Sequence, residues 1–97
     1  MANQEFRQGD VLLVRIAEVP EGASRKDNIL ALGEATGHHH MLEGGEVLIK
    51  DGTQYVVARQ QTRVVHQEHS QIQIPKGNYK VVLQHEYSPQ ENRRVMD

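Results

Sequence analysis

The segment EVLIKDGTQYVVAR, residues 46–59, constrains the fold more than any other part of the chain. Asp51-Gly52 supplies the positive φ angles of a two-residue turn, and the runs on either side are apolar and β-branched, so the segment predicts a tight hairpin. The same rhythm recurs along the chain. Residues 11–19 form a β-branched run opened by Gly9-Asp10 and closed by Pro20-Glu21-Gly22. Residues 28–35 and 39–43 read as strands on either side of Thr36-Gly37, with residues 24–28 as a polar connection. Residues 62–67, 72–74 and 79–87 continue the pattern, with a turn at residues 75–78. Many short strands on a small chain predict an all-β fold, a small antiparallel β-barrel or sandwich. Ser88-Pro89-Gln90-Glu91 carries an N-cap, a first-turn proline and a glutamate three residues after the cap, which predicts a short C-terminal helical turn.

Nothing in composition divides the 97 residues, so residues 1–97 are read as one domain. A chain of this length buries only about 60–70% of the surface its unfolded form exposes. With one Phe and no Trp, its core is short of large side chains. Strand edges left uncovered by so small a core favour pairing in a symmetric homodimer. The absence of Cys rules out disulfides and thiolate-bound zinc and fits a reducing cytoplasm. No apolar run approaches the roughly 20 residues of a membrane span, so no membrane partner is expected. A formal net charge of −2, with Lys and Arg dispersed, argues against long nucleic acid, which is held through many phosphate contacts. It leaves room for a small anion held by two or three basic side chains.

The chemistry-bearing residues are the histidines. All six fall in three places: His38, His39 and His40; His66 and His69; and His85. Side chains alternate along a strand, so His38 and His40 share a face that His39 does not. His66 and Glu68 share a face if their segment stays extended, whereas a bend across residues 68–70 brings His66 and His69 together; the spacing allows both.

Three readings compete. Histidines at turns are ordinarily exposed or locally hydrogen-bonded, which explains any one of them but strains to explain two motifs. A metal site would take His38 and His40 with His66 or His69 and Glu68, as small cupin-type barrels do. Metal-free acid–base catalysis on a phosphodiester, with no cofactor, is the third: with a pKa near 6.5, one imidazole can accept a proton while another donates. Cleaving a ribose phosphodiester takes a base for the 2′-hydroxyl, an acid for the leaving 5′-oxygen and a cation for the phosphoryl charge. In that reading His40 and His69 are the acid–base pair, His38 and His66 position or polarise them, and Glu68 orients an imidazole. Arg63 or Lys76 supplies the cation, Gln84 reads an adenine edge, and Tyr87 stacks on a base. A non-catalytic nucleotide- or partner-binding module would use the same surface.

GDVLLVRIAEVPEG, LALGEATGHHHML, VVHQEHSQIQIPKGNY and YKVVLQHEYSP occur in this order and cover nearly the whole chain. Together they resemble a group of small bacterial, plasmid and phage proteins. The sharper marks are Thr36-Gly37-His38 with His40, His66 with Glu68 and His69, Pro75, Gly77 and Tyr79, and Gln84, Glu86 and Tyr87. In that group the residue before the Glu-Tyr pair is often arginine; here it is His85, so a phosphate role for that arginine does not carry over. The group is similar to ring nucleases that degrade the cyclic nucleotide signals of bacterial antiviral defence. The resemblance implies cyclic di- or oligoadenylate substrates and an activity that switches signalling off.

Overall fold

The computed structural model describes residues 4–32 and 38–84, and within them every regular element is a strand. The strands are β1 (Glu5–Gln8), β2 (Val11–Ile16), β3 (Ser24–Lys26), β4 (Ile29–Leu32), β5 (His39–Glu43), β6 (Glu46–Lys50), β7 (Thr53–Ala58), β8 (Thr62–Val65), β9 (Ile72–Ile74) and β10 (Gly77–Leu83). They form two antiparallel sheets, one ordered β1-β2-β10-β7-β6-β3 and the other β4-β5-β8-β9. Both sheets are open, so of the two architectures expected the sandwich is found and the closed barrel is not. The helical turn expected at residues 88–91 lies outside the described residues.

Alternation builds the core. Leu42 of β5, Val47 of β6, Val56 and Ala58 of β7, and Val64 of β8 point inward between more exposed neighbours and are buried. Val11 and Leu13 of β2 and Tyr79 and Val81 of β10 join them from the middle of the larger sheet, where β2 lies between β1 and β10. Tyr79 is fully buried, gives its hydroxyl hydrogen to the Pro75 carbonyl (2.7 Å), and meets Phe6 edge-on at 5.9 Å between ring centres. Two of the few aromatic rings are thus spent on packing rather than on a ligand.

The expected β6–β7 hairpin forms, with Asp51 at φ 52° and Gly52 at φ 80°, the mirror-image turn that the right-handed twist of the strands requires. Two strands depart from the sequence reading. Residues 24–26, expected as a connection, pair with Leu48 and its neighbours as β3, and residues 5–8 form β1. Both are polar edge strands, the kind that blunts a sheet against aggregation and leaves little apolar signal. β10 begins at Gly77, so the turn expected at residues 75–78 is confined to its first half.

Candidate functional site

The histidine site follows from strand register. Met41 of β5 faces Val65 of β8, and Leu42 faces Val64. Continued past the end of β8, that register sets His40 against His66, His39 against Gln67 and His38 against Glu68. The side chains meet accordingly. The His40 and His66 rings are 4.3 Å apart, the His39 backbone amide donates to Gln67 Oε1 (2.8 Å), and His38 Nδ1 lies 3.5 Å from Glu68 Oε1. The chain then bends at residues 67–69, which returns His69 to within 4.6 Å of His66 and 5.8 Å of His40, ring centre to ring centre. His38 is 5.6 Å from His66. Four of the six histidines therefore form one cluster at the end of the inner face of the smaller sheet.

A third wall comes from the β1–β2 hairpin, which reading the histidines alone did not assign to the site. Gly9, at φ 60°, turns the chain directly against the cluster: a methyl group there would sit 2.8 Å from His69 Nε2 and 3.2 Å from His40 Cε1. Asp10 follows, with Oδ1 3.6 Å from His40 Nε2. Gln8, only 3% exposed, spans the two sheets. Its Nε2 donates to the Val64 carbonyl (3.0 Å) and the Ser70 carbonyl (2.9 Å), while its Oε1 lies 2.7 Å from His40 Nδ1. The signal for this wall was present in Gly9-Asp10, a turn dipeptide preceded by a polar residue where β1 would run into the core.

These bonds assign the imidazole protons. Both hydrogens of the Gln8 amide are used on carbonyls, so Oε1 can only accept, and His40 Nδ1 must carry the proton it gives. His40 Nε2 is then a lone pair directed toward Asp10. His66 has the opposite arrangement. Its Nδ1 accepts from the backbone amides of Glu68 (3.0 Å) and His69 (3.1 Å), so its proton sits on Nε2. Desolvation, then the neighbouring His66, holds His40 below the ordinary histidine pKa, with the Asp10 carboxylate acting against them. His66 is likewise lowered, first by desolvation and then by His69 and His38, with Glu68 opposing. Both rings are neutral at neutral pH. The cluster thus sets an acceptor nitrogen beside a donor nitrogen.

The expected cations are not at the cluster. Arg63 pairs with Glu43 (2.8 Å) and has the opposite strand parity to Val64 and His66, so it lines a separate polar depression of about 310 Å³ with Gln61 and Gln73. Lys76 precedes β10 at the end where Asn78 faces Ile16, roughly 20 Å along β2 from Asp10, and its carbonyl accepts from Arg15 (2.9 Å). Arg7, on the face of β1 opposite to Gln8, comes near the site only through the turn that follows. It reaches the Gly9 carbonyl (3.4 Å) and bonds Gln84 Oε1, and among the described residues it has no carboxylate partner. Gln84, expected to read an adenine edge, donates its backbone amide hydrogen to the Asp10 carbonyl (2.8 Å) and accepts from Arg7 at Oε1. Tyr87 and His85 lie outside the described residues.

A metal site would need several lone pairs turned outward, whereas His66 turns a proton outward and commits its lone pair to the backbone. Among the described residues no three histidine, aspartate or glutamate side chains are disposed to hold one ion. No helix among them is long and apolar enough to cross a membrane.

No curated protein and no solved structure matches the chain. A family model does, over residues 7–84, from Arg7 to Gln84, a stretch that contains every described residue of the cluster. The chain belongs to the family described as a domain of unknown function, DUF8820.

Proposed function

We propose that this protein is a phosphodiesterase that opens cyclic di- or oligoadenylates by metal-independent histidine catalysis. The observation that supports this best is the pair of opposed tautomers at His40 and His66, because the reaction needs a fixed acceptor for the 2′-hydroxyl proton beside a fixed donor for the phosphoryl oxygen. His40 Nε2 takes the 2′-hydroxyl proton, and the 2′-oxygen attacks phosphorus. His66 donates from Nε2 to a phosphoryl oxygen, and Arg7 offsets the remaining charge. His69, exposed at the mouth, gives its proton to the departing 5′-oxygen. The products are an opened strand with a 5′-hydroxyl and a 2′,3′-cyclic phosphate. The choice of cyclic adenylates, and of silencing antiviral signalling in the cytoplasm as the outcome, rests on the sequence resemblance. A homodimer suits that choice, since two equal sites match a ring with two-fold symmetry.

The test is incubation of EDTA-treated protein with cyclic di-, tri-, tetra- and hexa-adenylate, followed by chromatography and mass spectrometry. Cleavage is expected with at least one ring, and His40→Ala should slow it by about 10²- to 10⁴-fold, the usual contribution of a general base. Intact rings across the whole panel would refute the reading.

A further inference from the structure

Gln8 is buried where a sheet protein ordinarily places an apolar side chain, at the last residue of β1. An amide is nonetheless the one uncharged side chain that can satisfy all three of its neighbours. The carbonyls of Val64 and Ser70 each need a donor, and His40 Nδ1 needs an acceptor. Rotating the amide would bring its NH₂ toward His40 and its oxygen toward two carbonyl oxygens, so only one orientation is tolerated. That orientation has a consequence one atom further on.

We propose that Gln8 is a positioning residue: it locks the His40 ring in the Nδ1–H tautomer and so dedicates His40 Nε2 to accepting a proton from substrate. Ser70 follows His69 directly, so the same amide also fixes the bend that returns His69 to His40. The catalytic consequence rests on the phosphodiesterase reading; the tautomer lock does not. The charged or titratable groups around His40 are Asp10 from the β1–β2 turn, His39 from its own strand and His38 just before it, and His66, Glu68 and His69 from the segment after β8.

The experiment is long-range ¹H–¹⁵N spectroscopy of histidine-labelled full-length protein above pH 8, joined to rate–pH profiles with whichever cyclic adenylate is cleaved. Wild type should show His40 with a protonated Nδ1 and a bare Nε2. Gln8→Leu removes the acceptor and should mix the two tautomers, lowering kcat by about 10- to 100-fold with little change in KM, the scale seen when an orienting partner is lost. Gln8→Glu keeps an acceptor at Nδ1, so it should restore the single tautomer and move the acid limb of the rate profile up by about one unit. That rescue separates a chemical role from a merely structural one, because a Glu carboxylate has no hydrogen to give the two carbonyls and so restores only the acceptor at His40 Nδ1. Should Gln8→Leu fail to fold, the wild-type tautomer and the direction of the Gln8→Glu shift still decide. A wild-type His40 protonated at Nε2, or a Gln8→Leu variant with unchanged tautomer and rate, overturns the proposal. If the tautomers shift as described while no ring is cleaved by wild type, the lock stands and the phosphodiesterase reading falls.

Discussion

Two hairpins of this molecule turn on the same two residue types in opposite order. Between β6 and β7 the turn is Asp51-Gly52, with both residues at positive φ; between β1 and β2 it is Gly9-Asp10, with only the glycine there. Each is a mirror-image turn suited to strand twist. Gly52 has nothing within 4 Å of where a Cβ would stand, whereas Gly9 lies against His69 and His40. One glycine solves a backbone problem alone. The other also lets the backbone approach a reactive cluster, and reversing the dipeptide puts Asp10 rather than a glycine beside His40 Nε2.

The largest effect should come from giving each turn a methyl group. Gly52→Ala carries only the backbone strain of positive φ, about 1–2 kcal/mol of stability, and should leave cleavage unchanged. Gly9→Ala carries that strain and must also displace His69 or His40. Because a misplacement of about 1 Å can cost 10²-fold, activity should fall by about that factor or more. Thermal melts and initial rates on both variants are the check; equal activity in the two would remove Gly9 from the site.

Next comes the basic residue ahead of each turn. Lys50 spends its ammonium on the Glu21 carbonyl (2.5 Å), away from any cluster, while Arg7 spans Gly9 and Gln84 at the rim. A charge-assisted hydrogen bond to phosphate contributes about 1.5–3 kcal/mol, so Arg7→Gln should raise KM roughly tenfold or more. Lys50→Gln and Arg63→Gln should change it by less than about twofold. Saturation curves for the three variants rank them; a larger effect at Arg63 would return the cation role to the residue that the structure pairs with Glu43.

The same contrast explains what could be read in the chain and what could not. The β6–β7 hairpin was legible because apolar β-branched runs flank a turn dipeptide, and β5 was legible to the residue because His39–Glu43 alternates. The meeting of His38, His40, His66, Glu68 and His69 was legible as a possibility. Choosing it required knowing that Met41 faces Val65, since register is set by pairing between distant segments and leaves no local mark. Arg63 was misplaced for the converse reason: three residues from His66, it has the other parity. β1 and β3 were missed because edge strands are made polar, and Gln8 went unseen because a glutamine in a polar stretch does not announce that it is buried.

The smallest effect, and the sharpest on mechanism, concerns the two aspartates. Burial and His66 lower the His40 pKa and the Asp10 carboxylate raises it, so Asp10→Asn lets the value fall further. His40 must be unprotonated to act as base, hence the rate falls as pH drops through its pKa, and Asp10→Asn should move that acid limb down. The Asp10 carboxylate is half-exposed, so solvent screening keeps that shift small. Asp51→Asn, whose residue suits positive φ equally well, should leave the limb in place. Stability gives an independent reading of the same sign. Because His40 and His66 titrate lower in the fold than in the unfolded chain, where the value is near 6.5, the unfolded chain binds more protons in acid. Stability is complete above that value and is lost as pH falls below it through the folded values. Urea midpoints should therefore drop as pH falls below about 6.5, and by less in His40→Gln, which has no proton to take up. A limb that moves up in Asp10→Asn, or moves equally in Asp51→Asn, would mean that the proton acceptor is some group other than His40.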